Sequence, residues 1–155
     1  MEVLLLLGGN IGDVGATMKR AEAMLEQRVG GILSKSRDHW TEPWGFNDER
    51  TFLNRALIIR SGHSPEALLR ECLSIEHELG RTRSDAPGYV ARTIDIDLLL
   101  AGDGIISLPG LVIPHPRLHQ RAFALAPAAD VAPGWVHPGL ERSVLNLLND
   151  VLRAA

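Results

Sequence analysis

Apolar residues fill every position from 3 to 7 (Val-Leu-Leu-Leu-Leu) before Gly8-Gly9-Asn10 turns the chain polar. That is the pattern of a strand covered on both faces and followed by a turn. From Asp13 onward the spacing changes: Val14, Met18, Ala21, Leu25 and Val29 recur at helical intervals, which predicts a helix stopped at Gly30-Gly31. Residues 32–40 read as extended with weak alternation, residues 41–50 as a loop, and residues 52–59 as a strand ending before Ser61-Gly62. Ser64-Pro65-Glu66 then sets a capping hydroxyl, a proline at the first helical position and an acid in the first turn. Leu68, Leu69, Cys72, Ile75 and Leu79 keep the helical period to Gly80. After a polar stretch containing glycine and proline, residues 93–101 read as a strand closed by Gly102-Asp103-Gly104.

The resulting order is strand, helix, strand, strand, helix, strand, the βαββαβ arrangement of an α+β, ferredoxin-like core with an antiparallel sheet. About a third of the chain follows. Its prolines at positions 109, 114, 116, 127, 133 and 138 predict a mostly irregular segment, until Ser143 caps a final amphipathic helix carrying Val144, Leu148, Val151 and Leu152. No repeat or linker interrupts the pattern, so residues 1–155 are expected to form a single domain.

Composition narrows the function. With 45% hydrophobic and 23% charged residues in 155, the chain is neither disordered nor fibrous, and the question becomes one of a site. A net charge of −3 has the wrong sign for gripping a nucleic-acid backbone. The apolar run at the N-terminus falls far short of the roughly 18–20 residues that span a bilayer, so no membrane association and a cytoplasmic location are expected. Cys72 is the single cysteine. It permits no intrachain disulfide and no thiolate zinc cluster, leaving oxygen or imidazole ligands and favouring a hard cation such as Mg²⁺.

Asp95 and Asp97 stand two apart in a predicted strand, so the pleat turns both carboxylates to one face while Ile94, Ile96 and Leu98 go to the other. Such a pair can hold Mg²⁺ together with phosphate oxygens and water, or can simply lie on a solvent-facing strand surface. Arg81, Arg83 and Arg92 precede that strand, and His115, Arg117, His119 and Arg121 follow it, a set able to surround a polyphosphate. Only Lys19 and Lys35 among the sixteen basic residues are lysines, however, so each arginine can equally be one surface charge of an arginine-rich chain. The Gly8–Asp13 segment completes neither the Walker nor the dinucleotide pattern and reads as a tight strand-to-helix turn. Phe52 and Asn54 share a strand face, a flat ring beside an amide, fit either for the core or for a planar heterocycle. Phe123 has the same two readings. Trp40, Trp44 and Phe46 crowd one loop region in a chain with only three tryptophans, three phenylalanines and one tyrosine, which suits a cover over a site.

Six segments, read together, resemble the 6-hydroxymethyl-7,8-dihydropterin pyrophosphokinases of folate biosynthesis. They are Leu7-Gly8-Gly9-Asn10-Ile11-Gly12-Asp13, Thr41-Glu42-Pro43-Trp44-Gly45, Phe52-Leu53-Asn54, Glu76-His77-Glu78-Leu79-Gly80-Arg81-Thr82-Arg83, Arg92-Thr93-Ile94-Asp95-Ile96-Asp97-Leu98, and Ile113-Pro114-His115-Pro116-Arg117 running on through Leu118-His119-Gln120-Arg121-Ala122-Phe123. The resemblance implies an ATP-dependent pyrophosphokinase with the same ferredoxin-like core and with ATP and the hydroxymethylpterin as partners. It further implies that Asp95 and Asp97 bind two Mg²⁺ ions bridging the ATP phosphates. Arg81, Arg83, Arg92, His115 and Arg121 would hold the polyphosphate, with Glu76 near the nucleotide. Phe52 and Phe123 would sandwich the pterin, Asn54 would read its edge, and Pro43 with Trp44 would belong to a loop that closes over it. The polar residues 84–88 read, from their composition, as a second cover on the other side of the Asp95–Asp97 strand. Positions that differ from some relatives, at Leu73, Ser84, residues 89–91 and residues 110–112, fall at lid and nucleotide contacts. The competing class is a noncatalytic ferredoxin-like sensor of small ligands, which has no evident use for paired carboxylates facing arginines.

Overall fold

The computed structural model describes residues 1–41, 51–80 and 93–155. β1 (Glu2–Gly9) is followed by α1 (Val14–Arg28), whose first turn is capped by the Asp13 carboxylate accepting from the Ala16 N–H. β2 (Gly30–Lys35) and β3 (His39–Thr41) are two pieces of one extended run, broken where the buried Ser36 hydroxyl enters the ladder and accepts the Ala56 N–H. β4 (Phe52–Ser61) leads to α2 (Pro65–Glu78), capped by Ser64 and ended by Gly80 at φ +100°, a conformation open to glycine. β5 (Asp95–Ala101) completes the sheet.

The strand order is β2-β4-β1-β5, with β3 also paired to β4, and these pairings are all antiparallel. This is the expected α+β core, and it explains the unbroken apolar run at residues 3–7. Val3, Leu5 and Leu7 pack with Met18 and Leu25 of α1 and Leu68 and Ile75 of α2. Leu4 and Leu6 point the other way, into a second core with Leu118, Ala124, Leu125, Ala128, Val144 and Leu147. Both faces are covered, so neither can alternate with polar residues.

The second core corrects the expectation of a mostly irregular segment after the sheet. β6 (Ile106–Leu108) and β7 (Leu111–Ile113) form a hairpin, a 3-10 turn spans Leu118–Gln120, and α3 (Ala122–Val131) carries Pro127 in its interior. β8 (Val136–His137) pairs with β9 (Arg142–Ser143), and α4 (Val144–Ala154) begins at the expected Ser143 cap. Pro127 removes one helical hydrogen bond, yet α3 persists because Ala124, Leu125 and Ala128 bury against the sheet, and packing outweighs local propensity. α1 ends just before Gly30, as expected, and Gly30 has a second role. It is a β2 residue at which a Cβ would lie 1.9 Å from the Arg60 carbonyl oxygen, so only glycine fits the close approach of β4.

Candidate active site

Among the described residues β5 is an edge strand, and its alternation sorts its side chains as the sequence predicts. Ile96 and Leu98 face the α1/α2 core, while Asp95 and Asp97, both half-buried, face the side of Leu6 and Asn54. The outer edge of the strand is met by α2. Glu76, only 3% exposed, accepts the Ile96 N–H at 2.7 Å and so satisfies a backbone donor that no further strand among the described residues reaches. Around that edge opens a cleft of about 400 Å³ lined by Glu76, Asp95, Asp97, His115, Cys72 and Leu73, with Leu111 and Val112 of β7 on its far wall. Four of the predicted site residues therefore meet in one place.

His115 is held at the cleft by its backbone N–H, which donates to the Leu99 carbonyl at 2.9 Å. Its Nδ1 accepts the Arg117 N–H at 3.1 Å, which leaves the ring proton on Nε2. Burial, then the nearby charges of Arg121 and Arg117, hold its pKa below the ordinary histidine value. With Nδ1 accepting, His115 offers its Nε2–H as a donor. Cys72 is buried in the same wall, and burial followed by the acids Glu76, Glu71 and Asp97 pushes its thiol up to about 12, so it is an inert apolar contact.

The second region lies across the sheet. One register row runs from Asn54 on β4 through Gly8 on β1 to Asp95 on β5. Asn54 is 4% exposed, and its Nδ2 donates to the Thr41 hydroxyl at 3.1 Å. A Cβ at position 8 would stand 3.1 Å from the Asn54 Oδ1, so the glycine leaves room for that amide. Phe52, half-buried, is the cross-strand partner of Thr41. Phe123 projects from the first turn of α3 into a hollow of about 510 Å³ that it shares with Thr41, His39 and Trp40. The Arg121 guanidinium lies 5.4 Å from the centroid of the Phe123 ring. In this structure Arg121 therefore stands beside the aromatic ring, close enough to His115 to depress its pKa, but does not line the cleft of Asp95 and Asp97.

The donor set at β5 suits a hard divalent cation. Two carboxylates from one strand supply oxygens and leave coordination places for phosphate and water, and among the described residues no cluster of three or more metal-ligating side chains competes with them. Arg81, Arg83, Arg92, Pro43 and Trp44, and with them the two expected covers, lie outside the described residues. Sequence reasoning missed the Thr41 hydroxyl beside Asn54, the Glu76 contact to the β5 backbone, and the cluster of Arg37, His39 and Asp130 described below.

A family model described as 7,8-dihydro-6-hydroxymethylpterin-pyrophosphokinase (HPPK) matches residues 4–133. A 2-amino-4-hydroxy-6-hydroxymethyldihydropteridine pyrophosphokinase of Porphyromonas gingivalis is 44% identical over 138 residues, covering 88% of this chain and 93% of that one. The enzyme of the same name from Bacillus subtilis is 40% identical over 126 residues, 81% of this chain and 74% of that one. Among solved structures, Plasmodium falciparum HPPK-DHPS with pteroate superposes with a TM-score of 0.81 at 14% identity. That match covers 98% of this chain and 44% of the solved chain, so this chain spans less than half of that protein and shares its fold there.

Proposed function

The chain belongs to the 7,8-dihydro-6-hydroxymethylpterin-pyrophosphokinase family, ATP-dependent enzymes of folate biosynthesis, and from that premise we propose how its own residues carry the transfer of pyrophosphate from ATP to 6-hydroxymethyl-7,8-dihydropterin. Asp95 and Asp97 hold Mg²⁺, two ions by the family resemblance, against the ATP phosphates. When bound, the metal neutralises phosphate charge and fixes the orientation of the transferred group. His115 donates its Nε2–H to a phosphate oxygen, and Arg81, Arg83, Arg92 and Arg121 supply the remaining cationic contacts. Glu76 steadies β5 through the Ile96 N–H, and with Leu73, Leu111 and Val112 it frames the nucleotide side of the cleft.

The pterin stacks between Phe52 and Phe123, and Asn54 reads its polar edge with the amide orientation that Thr41 sets. Pro43 and Trp44 belong to the segment that covers it. The hydroxymethyl oxygen attacks the β-phosphorus, the bond between that phosphorus and the α–β bridging oxygen breaks, AMP leaves with that oxygen, and the hydroxyl proton passes to solvent. Because both reactants are held in line, positioning and charge neutralisation do the work and no strong protein base is required. The 155 residues act as one catalytic domain in the cytoplasm, without nucleic acid. Among the described residues no helix is long and apolar enough to cross a membrane.

The observation that carries this reading is the row Asn54–Gly8–Asp95, which sets the heterocycle-reading amide and the first of the two acids on one sheet face. Incubation with MgATP and the hydroxymethyldihydropterin tests it, with AMP and pyrophosphorylated pterin as the expected products. ADP would reject attack at the β-phosphorus, and no turnover by folded protein would favour a noncatalytic ligand sensor.

A further inference from the structure

Asp130 is the next-to-last residue of α3, where the helix dipole disfavours a carboxylate, and no basic residue stands in that last turn. Its charge is used elsewhere. Oδ2 accepts the Arg37 backbone N–H at 3.2 Å, the Arg37 Nε–H at 3.3 Å and the His39 Nε2–H at 2.7 Å, while Oδ1 accepts from Arg37 Nη2 at 3.2 Å. Burial alone would raise its pKa, but these hydrogen bonds from Arg37 and His39 outweigh it and hold the acid at about 2, so the carboxylate is the acceptor throughout.

The residues it binds lead directly into Thr41. The next residue along, Asp38, is taken from the opposite side by Arg55 at 2.6 and 2.9 Å, and Arg55 is anchored in turn to the buried Glu22 of α1 at 2.7 Å. The stretch 37–39 is thereby pinned to α3 through its odd residues and to α1 through its even one. On α3, Phe123, Ala126 and Asp130 recur at helical spacing and form one stripe. Phe123 and Ala126 of that stripe line the same hollow as Arg37, His39 and Thr41. Fixing the far end of the stripe to β3 fixes the separation between Phe123 at its near end and Thr41 with Asn54.

We infer that Asp130 is a positioning residue for the pterin slot, tying the helix that carries the Phe123 ring to the strand that orients the Asn54 amide. The inference rests on the reading that Phe123 and Asn54 hold the pterin. It makes a residue remote from the reacting phosphates selective for one of the two substrates, which a purely structural ion pair would not be.

The test compares Asp130→Ala, Asp130→Asn and Phe123→Ala with the unaltered protein. It measures dissociation constants for the hydroxymethylpterin and for a non-hydrolysable MgATP analogue, kcat and KM for each substrate, and melting temperature. Asp130→Ala should weaken pterin binding and raise the pterin KM about tenfold while nucleotide binding stays within about twofold. Asp130→Asn, which keeps one acceptor oxygen, should fall between it and the unaltered protein. Should the alanine variant not fold, Asp130→Asn and His39→Ala carry the same comparison. Unchanged pterin affinity in folded Asp130 variants, with Phe123→Ala still weakened, would overturn the inference and leave the slot intact. Equal loss of both ligands in step with melting temperature would reduce Asp130 to a structural role. Unchanged pterin affinity in Phe123→Ala would remove the slot itself, and this inference with it.

Discussion

The cleft at the edge of β5 and the hollow beneath α3 sit on one sheet and are built in opposite ways. The cleft draws its acids and its backbone contact from α2 and β5, both inside the βαββαβ core. The hollow sets β3 against α3, a helix beyond that core, whose Phe123 meets Thr41 across 82 residues of sequence. An edge strand suits charge, because side chains on its rim reach solvent, cation and phosphate without burying an unpaired carboxylate. A slot for a planar ring, the use proposed above for the hollow, instead needs two covered walls a fixed distance apart, and among the described residues α3 packed over the sheet face supplies the second. Both regions therefore join the core to the last third of the chain: the cleft sets the β5 acids beside His115 and β7, and the hollow sets β3 beneath α3.

The difference can be broken most severely on the charged side. Asp97→Ala and Asp95→Ala should each lower kcat/KM by roughly several orders of magnitude, since metal-dependent charge neutralisation is needed throughout transfer, while the melting temperature holds. Near-normal activity would return these acids to an exposed strand surface. Glu76→Ala should act on the fold as well, because the buried Ile96 N–H loses its acceptor at a cost of about 1–3 kcal/mol. Chemical denaturation should show that loss in the alanine variant and a smaller one in Glu76→Gln, whose amide oxygen can still accept.

On the aromatic side the effects are smaller and confined to one ligand. Phe123→Ala should weaken the pterin by about 0.5–1.5 kcal/mol beyond the area it buries, with the nucleotide unaffected, as titration of each ligand alone would show. Gly8→Ala should shift the Asn54 amide, whose Oδ1 the new Cβ would meet at 3.1 Å, and weaken the pterin by a factor of a few. The smallest effect is acid sensitivity. Asp130 titrates at about 2 in the folded protein against an ordinary 3.8, so its contribution to stability is complete above about 4 and fades as the pH falls through 2. Asp130→Asn should flatten the acid-unfolding curve in that window alone.

How much of this the sequence discloses depends on how local the cause is. Ser64, Pro65 and the spacing through Leu79 specify α2 within a few residues, and the two-residue interval of Asp95 and Asp97 gives their common face directly. α3 is not legible in the same way. Its Pro127 and the prolines around it argue against a helix, and the compensation comes from Leu4, Leu6 and Ala56, far away in sequence. The end of α1 before Gly30 is legible, but the close approach of the Arg60 carbonyl to Gly30 is not. In the site, motif resemblance points to Phe123 and His115, but not to the neutral Nε2–H form of His115, which depends on the Arg117 N–H, nor to Asp130, whose partners lie 91 and 93 residues earlier.

The division of labour between the two regions is tested most directly by calorimetric titration of the non-hydrolysable MgATP analogue and the hydroxymethylpterin, each alone, into the unaltered, Asp97→Ala and Phe123→Ala proteins. A crossed pattern is expected: Asp97→Ala loses Mg²⁺-dependent nucleotide binding and keeps the pterin, while Phe123→Ala loses pterin affinity and keeps the nucleotide. Parallel losses of both ligands in either variant would contradict it.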